Sequence, residues 1–480
     1  MSTQLARLLV FVASASVLVI EILAARLLAP YIGVSLEVFT GIIGVILAGI
    51  SVGAWLGGRA ADRMDPSRLL GPLFVLGGLS AMAAPLIMDA IGPSLVRSIT
   101  SVVTAAAVGF FVPAAFLSAV PPVVVKIQLA TLERTGSVVG SYSAVGTLGA
   151  IFGTFITGFF LIAAFPTRPI ITVLGVALGV LGAGLSITRI RWALLALGAS
   201  GLLAAALLAG DPPCQYETAY HCAVIEVDLF RESGRTLYLD RLPNSYVDIE
   251  DPTYLHFRYI KLIADVLETE APAGSLNMVS IGGGGFTMPG YVEATRPGSQ
   301  NIVLEIDDDL VEIGRSELGL DPNIDVIADD ARISIRGLSA GAADVVVGDA
   351  FSGATVPWHL TTREFIVQIE EILTDDGVYI MNVIDYGGRH FVRSEAATLR
   401  EVFDHVALFA PPGYIHGDGG GNYILVASDG PIDIEAIHGV IGGRGGTEIG
   451  ITGVQLDRFI DGAAVLTDDF APVDQLLLRR

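Results

Sequence analysis

Lysine is nearly missing from this 480-residue chain, with Lys126 and Lys261 standing alone against 26 arginines. Net charge is −22 and the isoelectric point lies near 4.6, so no basic surplus exists to neutralise phosphates. That excludes nucleic acid as a partner. Only two cysteines occur, Cys214 and Cys222, too few for a disulfide-dense fold or a four-cysteine zinc site. His256, His359, His390 and His416 are scattered without ligand spacing, and no metal site is expected. Charged residues make up only 16% of the chain, hydrophobic ones 52%, and mean hydropathy is +0.63. Those values exclude a disordered chain and an ordinary soluble enzyme.

What charge there is lies unevenly. Residues 1–210 carry eleven basic and six acidic side chains, whereas the remainder carries 17 basic against 44 acidic. The change falls at Asp211-Pro212-Pro213, where the last long apolar run stops. Two regions in two solvents are therefore expected, a transmembrane bundle over 1–210 and an acidic water-soluble part beyond it. An acidic, lysine-poor surface is also what high salt favours, because screening blunts self-repulsion.

A span needs roughly 20 apolar residues. Seven candidates answer: 6–28, 37–57, 69–91, 99–124, 137–164, 168–187 and 191–210. The first continues too far for a cleaved signal peptide. Gly53 and Gly57, and again Gly149 and Gly153, put small residues four apart. That spacing serves close packing inside one bundle or, alternatively, a dimerisation face. Arg7, Arg59, Arg63, Arg68, Lys126, Arg134, Arg189 and Arg191 fall on one side, and Arg26, Arg97 and Arg168 on the other. The basic side is expected in the cytoplasm, which places the soluble region outside. A span count off by one reverses that. Cys214 and Cys222 are spaced for a small disulfide-closed loop in an oxidising compartment, with free thiols as the alternative. Glu21 and Arg26 sit in or near the first span, either as a mutual ion pair or in a transport or ligand role.

The soluble region divides into a linker and small β subdomain over 211–270 and an α/β domain over 271–480. Residues 223–249 alternate apolar and polar around a turn near Gly234, the pattern of a β-hairpin, and 254–268 read as a helix. Beyond 276, strands at 278–281, 301–305, 324–327, 343–347 and 377–383 alternate with helical stretches such as 309–318. That alternation predicts a parallel, doubly wound, Rossmann-like sheet of the methyltransferase type. Ligands bind such sheets beyond the carboxyl ends of the strands.

The marked residues sit there. Gly282, Gly283 and Gly284 follow the first of these strands, and backbone without side chains can approach a ligand closely. Glu305 ends the second, about twenty residues on, where a carboxylate accepts both ribose hydroxyls. Asp330-Ala331 follows the third, where Asp330 can accept from an adenine amino group, and Asp349 ends the fourth, facing the crevice. The alternative is that these carboxylates cap the following helices. Neither Gly-x-Gly-x-x-Gly nor a Gly-Lys-Ser/Thr phosphate loop occurs at these strand ends. The pattern fits a nucleoside without phosphates, such as S-adenosylmethionine or a relative.

Over about 220–385 these residues resemble the spermidine synthase (polyamine aminopropyltransferase) family. The resemblance runs through Leu237-Tyr-Leu-Asp240, Ile281-Gly-Gly-Gly284, Glu305-Ile-Asp307, Asp330-Ala-Arg332 and Gly348-Asp-Ala-Phe351. Val356-Pro-Trp-His-Leu-Thr-Thr-Arg-Glu-Phe365, Leu466-Thr-Asp-Asp-Phe-Ala-Pro-Val-Asp474 and Arg26-Leu-Leu-Ala-Pro-Tyr31 look like its membrane-fused branch. The resemblance implies transfer of an aminopropyl group from decarboxylated S-adenosylmethionine to an amine such as putrescine. Asp349 would be the base, Glu305 the ribose ligand and Asp330 the adenine contact. Asn244 would stand where the family has a cofactor-contacting glutamine.

The chain departs from the family at three points. Gly285 replaces an acid that normally helps hold the aminopropyl amine, Ser352 replaces a second acid, and the Tyr-His-Glu motif is at best Tyr254-Leu-His256. A methyltransferase needs the same nucleoside pocket without the lost acids. A non-catalytic nucleoside or polyamine sensor or transporter is the third reading. A small-molecule amine and the lipid bilayer are the expected partners, with a homodimer possible.

Overall fold

The computed structural model describes all residues except 34, 96–97, 130–134, 187–189, 241, 352–355 and 479–480. Arg97, Arg134, Arg189 and Ser352 thus lie outside the described residues. The chain divides into two compact units, Met1–Cys222 and Ala223–Arg480.

In the first unit, seven helices are long and apolar enough to cross a membrane, by length and composition. They are α1 (Thr3–Ile32), α2 (Leu36–Arg63), α3 (Pro66–Ser94), α4 (Ile99–Gln128), α5 (Thr135–Ala164), α6 (Thr167–Leu185) and α7 (Ile190–Ala209). The small residues meet neighbours within this bundle. The Phe11 carbonyl oxygen of α1 occupies the place a Cβ on Gly149 would need, and that of Ala15 the place of one on Gly153. Gly53 likewise faces the Ala115 backbone of α4, and a Cβ on Gly57 would lie 2.7 Å from Ala119.

The ion pair between Glu21 and Arg26 does not form. Arg26 instead donates to the Ala219 carbonyl at 2.7 Å and pairs with Glu217 at 3.3 Å. Glu217 also accepts from the Thr167 N–H at 3.1 Å. Arg168 holds Asp89 at 2.7 Å, and Asp89 accepts from the Tyr31 hydroxyl at 3.1 Å. Helical spacing cannot reveal a partner 191 residues away. Cys214 and Cys222 form a disulfide that closes the segment carrying Glu217.

In the second unit, strands β1 (Cys222–Val227), β2 (Gly234–Leu239) and β3 (Leu242–Asp248) pair antiparallel in chain order, the expected hairpin extended by one strand. Helix α8 (Arg258–Glu270) leads into β4 (Asn277–Ile281), α9 (Thr287–Thr295), β5 (Gln300–Glu305), α10 (Asp308–Glu317) and β6 (Asp325–Ala328). Then come the short α11 (Ala331–Ser334), β7 (Ala343–Gly348), α12 (Arg363–Ile372), β8 (Leu373–Asp385) and α13 (His390–Arg400). Strands β9 (His405–Ala410), β10 (Gly421–Ser428) and β11 (Ile449–Thr452) complete the sheet.

Strand order is β11-β9-β10-β8-β7-β4-β5-β6. The stretch β8-β7-β4-β5-β6 is parallel, and β10, β9 and β11 add antiparallel. Strand order reverses between β4 and β7, which makes the crevice at their carboxyl ends the topological switch point. Side chains alternate across the sheet. Val346 packs with Phe365 and Ile369 of α12 on one face, while Val345 and Val347 pack with Ile263 and Val266 of α8 on the other. Both faces are covered, which explains why these strands read as continuous apolar runs.

Candidate functional site

The crevice is built from the turn after β4. Gly282 has φ +91°, and a Cβ there would lie 2.7 Å from the Asp349 carbonyl oxygen. Glycine is what lets the loop turn and the two strand ends approach. The Gly282 N–H donates to Leu304 O and the Asp349 N–H to Ile281 O, both at 2.9 Å, so β5, β4 and β7 stay in register to their tips. Glu305 is buried, with one carboxylate oxygen accepting the Gly283 N–H at 2.7 Å and the other the Asp307 N–H at 3.0 Å. Each oxygen keeps a second lone pair. Directly after it, Ile306 exposes an apolar side chain.

Asp349 stands across the crevice. Its Oδ1 accepts from Asn382 Nδ2 at 2.7 Å and its Oδ2 from the Tyr259 hydroxyl at 3.3 Å. Burial pushes its carboxyl up to about 6, against the pull of those two donors. The Tyr259 hydroxyl is pushed well above its usual range by burial and by the neighbouring Asp349. The arrangement leaves a carboxylate poised near neutrality, able to accept a proton at physiological pH.

Asn244 borders the same turn. Its Oδ1 accepts from the Ser245 hydroxyl at 2.7 Å, and Ser245 Oγ accepts from the Gly285 N–H at 2.9 Å. Gly282, Gly283, Gly284, Asn244, Glu305 and Asp349 are thus brought to one end of the sheet. Asp330 is placed at the tip of β6, where one carboxylate oxygen caps α11 through the Arg332 N–H at 2.8 Å. The other lies 3.1 Å from His359 Nε2. Ala331 is buried in the first turn of α11.

Gly285 is closed in. A Cβ there would lie 2.6 Å from the Ser245 Cβ, so an acidic side chain at 285 has no room. Tyr254 and His256 belong elsewhere: His256 stacks on Tyr246 at 4.3 Å, and Arg231 covers Tyr254 at 3.9 Å. The tyrosine that reaches Asp349 is Tyr259, which the motif reading passed over. Its position one helical turn before the buried Ile263, on the inward stripe of α8, is the signal that marks it. Asn382 and Asn422 were also missed.

No family model matches the chain. Over 172 residues it is 30% identical to the polyamine aminopropyltransferase of Vibrio vulnificus, spanning 35% of this chain and 56% of that protein. Over 163 residues it is 31% identical to the N-terminal histidine N-methyltransferase of Emericella nidulans, spanning 32% of this chain and 28% of that protein. The chain therefore spans about half, or less, of the length of these relatives. The crystal structure of a probable spermidine synthase from Corynebacterium glutamicum superposes with a TM-score of 0.51 at 28% identity. That match covers 55% of this chain and 99% of the other.

Proposed function

The chain is homologous to spermidine synthases in sequence and in structure, and on that premise we propose that it is a membrane-anchored aminopropyltransferase. It moves an aminopropyl group from decarboxylated S-adenosylmethionine to a small-molecule amine such as putrescine and releases methylthioadenosine. The observation that carries this reading is Asp349, a carboxylate held near neutrality at the switch point, opposite the glycine turn and Glu305.

An alkylamine has a pKa near 10.4 in water and arrives protonated. Desolvation in the crevice lowers that value, and Asp349 takes the proton. The freed nitrogen lone pair attacks the aminopropyl carbon bonded to sulfur. The C–S bond breaks, its electrons stay on sulfur, and the sulfonium becomes a neutral thioether. The product leaves as a secondary ammonium, and Asp349 returns its proton to solvent before the next turnover. In this reading Glu305 holds the ribose, Gly282, Gly283, Gly284 and Asn244 shape the cradle, and Asp330-Ala331 lies at the adenine end. The co-substrate is consumed in each turnover.

The seven apolar helices support membrane anchoring, and the domain division follows the change in charge near residue 211. The loop charges and the Cys214–Cys222 disulfide support placing the soluble unit on the oxidising side.

A second reading is favoured by two specific observations. Ser245 fills the space of the missing acid beside Gly285, and part of the chain is 31% identical to a histidine N-methyltransferase. In that reading the donor is S-adenosylmethionine and the acceptor a membrane or surface group. Incubating the purified full-length protein with each donor and a panel of amines separates the two. Methylthioadenosine dependent on an amine supports aminopropyl transfer, S-adenosylhomocysteine supports methyl transfer, and neither product removes both.

A further inference from the structure

The hydrogen bonds around Asp349 continue beyond its immediate partners. Asn382, buried in β8, gives its Nδ2 to Asp349 Oδ1 at 2.7 Å. Its own Oδ1 accepts from Asn422 Nδ2, on the adjacent antiparallel strand β10, at 3.0 Å. The amide orientations follow from chemistry. An ionised carboxylate accepts only, so Asn382 must turn its NH2 toward Asp349. Its carbonyl then faces Asn422, which must present its own NH2. Reversing either amide would aim a carbonyl oxygen at an oxygen.

We propose that Asn422 is a positioning residue: by locking the Asn382 amide, it keeps the shorter hydrogen bond on Asp349 Oδ1 and leaves Oδ2, with the longer 3.3 Å bond from Tyr259, as the atom that receives the substrate's proton. This deepens the transferase reading and rests on it for the word substrate. The hydrogen-bond relay itself stands on geometry alone. Among the described residues, the titratable group hydrogen-bonded to Asp349 is Tyr259 from α8. From β8 and β10 the facing groups are the neutral amides of Asn382 and Asn422, the turn after β4 offers glycine backbone, and Glu305 of β5 is turned to the Gly283 N–H.

Three substitutions at 422 test the relay. Asn422→Leu removes the donor, so the Asn382 amide is free to reverse and Asp349 loses a hydrogen bond that is stronger to its charged form. Its protonation midpoint should rise by about one unit, roughly tenfold in the equilibrium. Asn422→Thr suits a strand and keeps a hydroxyl donor, and should restore the native midpoint. Asn422→Asp turns the amide around outright and should raise the midpoint further than Leu.

The readout is the protonated-carboxyl band in pH-difference infrared spectra of the full-length protein in detergent, assigned by its loss in Asp349→Asn. A Leu variant with the native midpoint, or a Thr variant shifted as far as Leu, overturns the relay. If the Leu variant fails to fold, the Asp variant decides: a raised midpoint supports the relay and an unchanged one overturns it. The measurement needs no turnover. Shifts in the expected order from a protein that transfers no aminopropyl group keep the relay and discard the aminopropyltransferase reading.

Discussion

The bundle and the α/β unit use the same residue types for opposite ends. In the bundle, Gly53, Gly149 and Gly153 are places where one helix backbone touches another, and the ion pairs Arg26–Glu217 and Arg168–Asp89 tie segments together. In the α/β unit, the glycines after β4 turn the chain at the switch point, and Glu305 and Asp349 stand at strand tips with hydrogen-bonding capacity left over. The difference follows from solvent. Helices in hydrocarbon associate without a hydrophobic driving force, so close contact and paired charge must hold them. A sheet covered on both faces already has its apolar core, and its strand ends are free for chemistry.

The comparison is sharpened most by Asp349→Asn. If Asp349 is the base, transfer falls about 10²- to 10⁴-fold while methylthioadenosine binding changes little. The burial that raises this carboxyl to about 6 also sets the pH dependence. Activity should fall as pH drops through about 6, because the protonated form cannot accept. Stability runs the other way. A folded pKa raised above the unfolded value stabilises the fold at pH below the unfolded pKa, and that contribution disappears as pH rises through 6. At pH 8 the uncharged Asn variant should therefore melt higher than the native protein, which differential scanning calorimetry reads directly. A variant that melts lower and loses nucleoside binding would make Asp349 a structural residue.

Next in size is Glu305→Ala. Two backbone N–H groups orient its carboxylate, and if it holds a ribose as proposed, removing it deletes charge-assisted hydrogen bonds each worth about 1.5–3 kcal/mol. Affinity for methylthioadenosine in calorimetric titration should fall at least tenfold. Unchanged affinity would reduce Glu305 to a brace for the Gly283 turn.

Gly285→Asp tests the closed side of the cradle. Because the new Cβ would meet the Ser245 Cβ at 2.6 Å, the single variant should lose about 1–3 kcal/mol of stability by overpacking. Gly285→Asp with Ser245→Gly removes the obstructing atom and should recover part of the loss, less the hydrogen bond that Ser245 Oγ accepts from the 285 N–H. A single variant as stable as the native protein would mean that the turn yields, and that the acid's absence is not steric.

How much of this was legible in the sequence depends on how local each signal is. The strands from β4 to β8 announce themselves as apolar runs, and Glu305 and Asp349 as the first acids after them. The seven helices follow from length and hydropathy alone. Asn382 is different: it lies inside a buried strand 33 residues from Asp349, and Asn422 is 40 residues further on. Their convergence depends on β10 entering antiparallel beside β8, which no local pattern specifies. Arg26 shows the same limit, since its true partner is brought near by the disulfide-closed segment rather than by helical periodicity.

The smallest effect on chemistry is expected from Gly149→Leu, and it is the substitution that tests the contrast itself. The Phe11 backbone of α1 sits where the new side chain would begin, so α1 and α5 must move apart. Overpacking of this kind costs about 1–3 kcal/mol, with more where backbone rather than a side chain must yield. Thermal unfolding of the detergent-solubilised protein should begin several degrees lower. Methylthioadenosine affinity should stay within twofold of native, because the three atoms nearest the built Cβ all belong to the Phe11 backbone of α1. If affinity instead falls with stability, glycine in the bundle does more than let helices touch. The apolar helices would then share in setting the proposed nucleoside site, and the division between packing glycines and cradle glycines would fail.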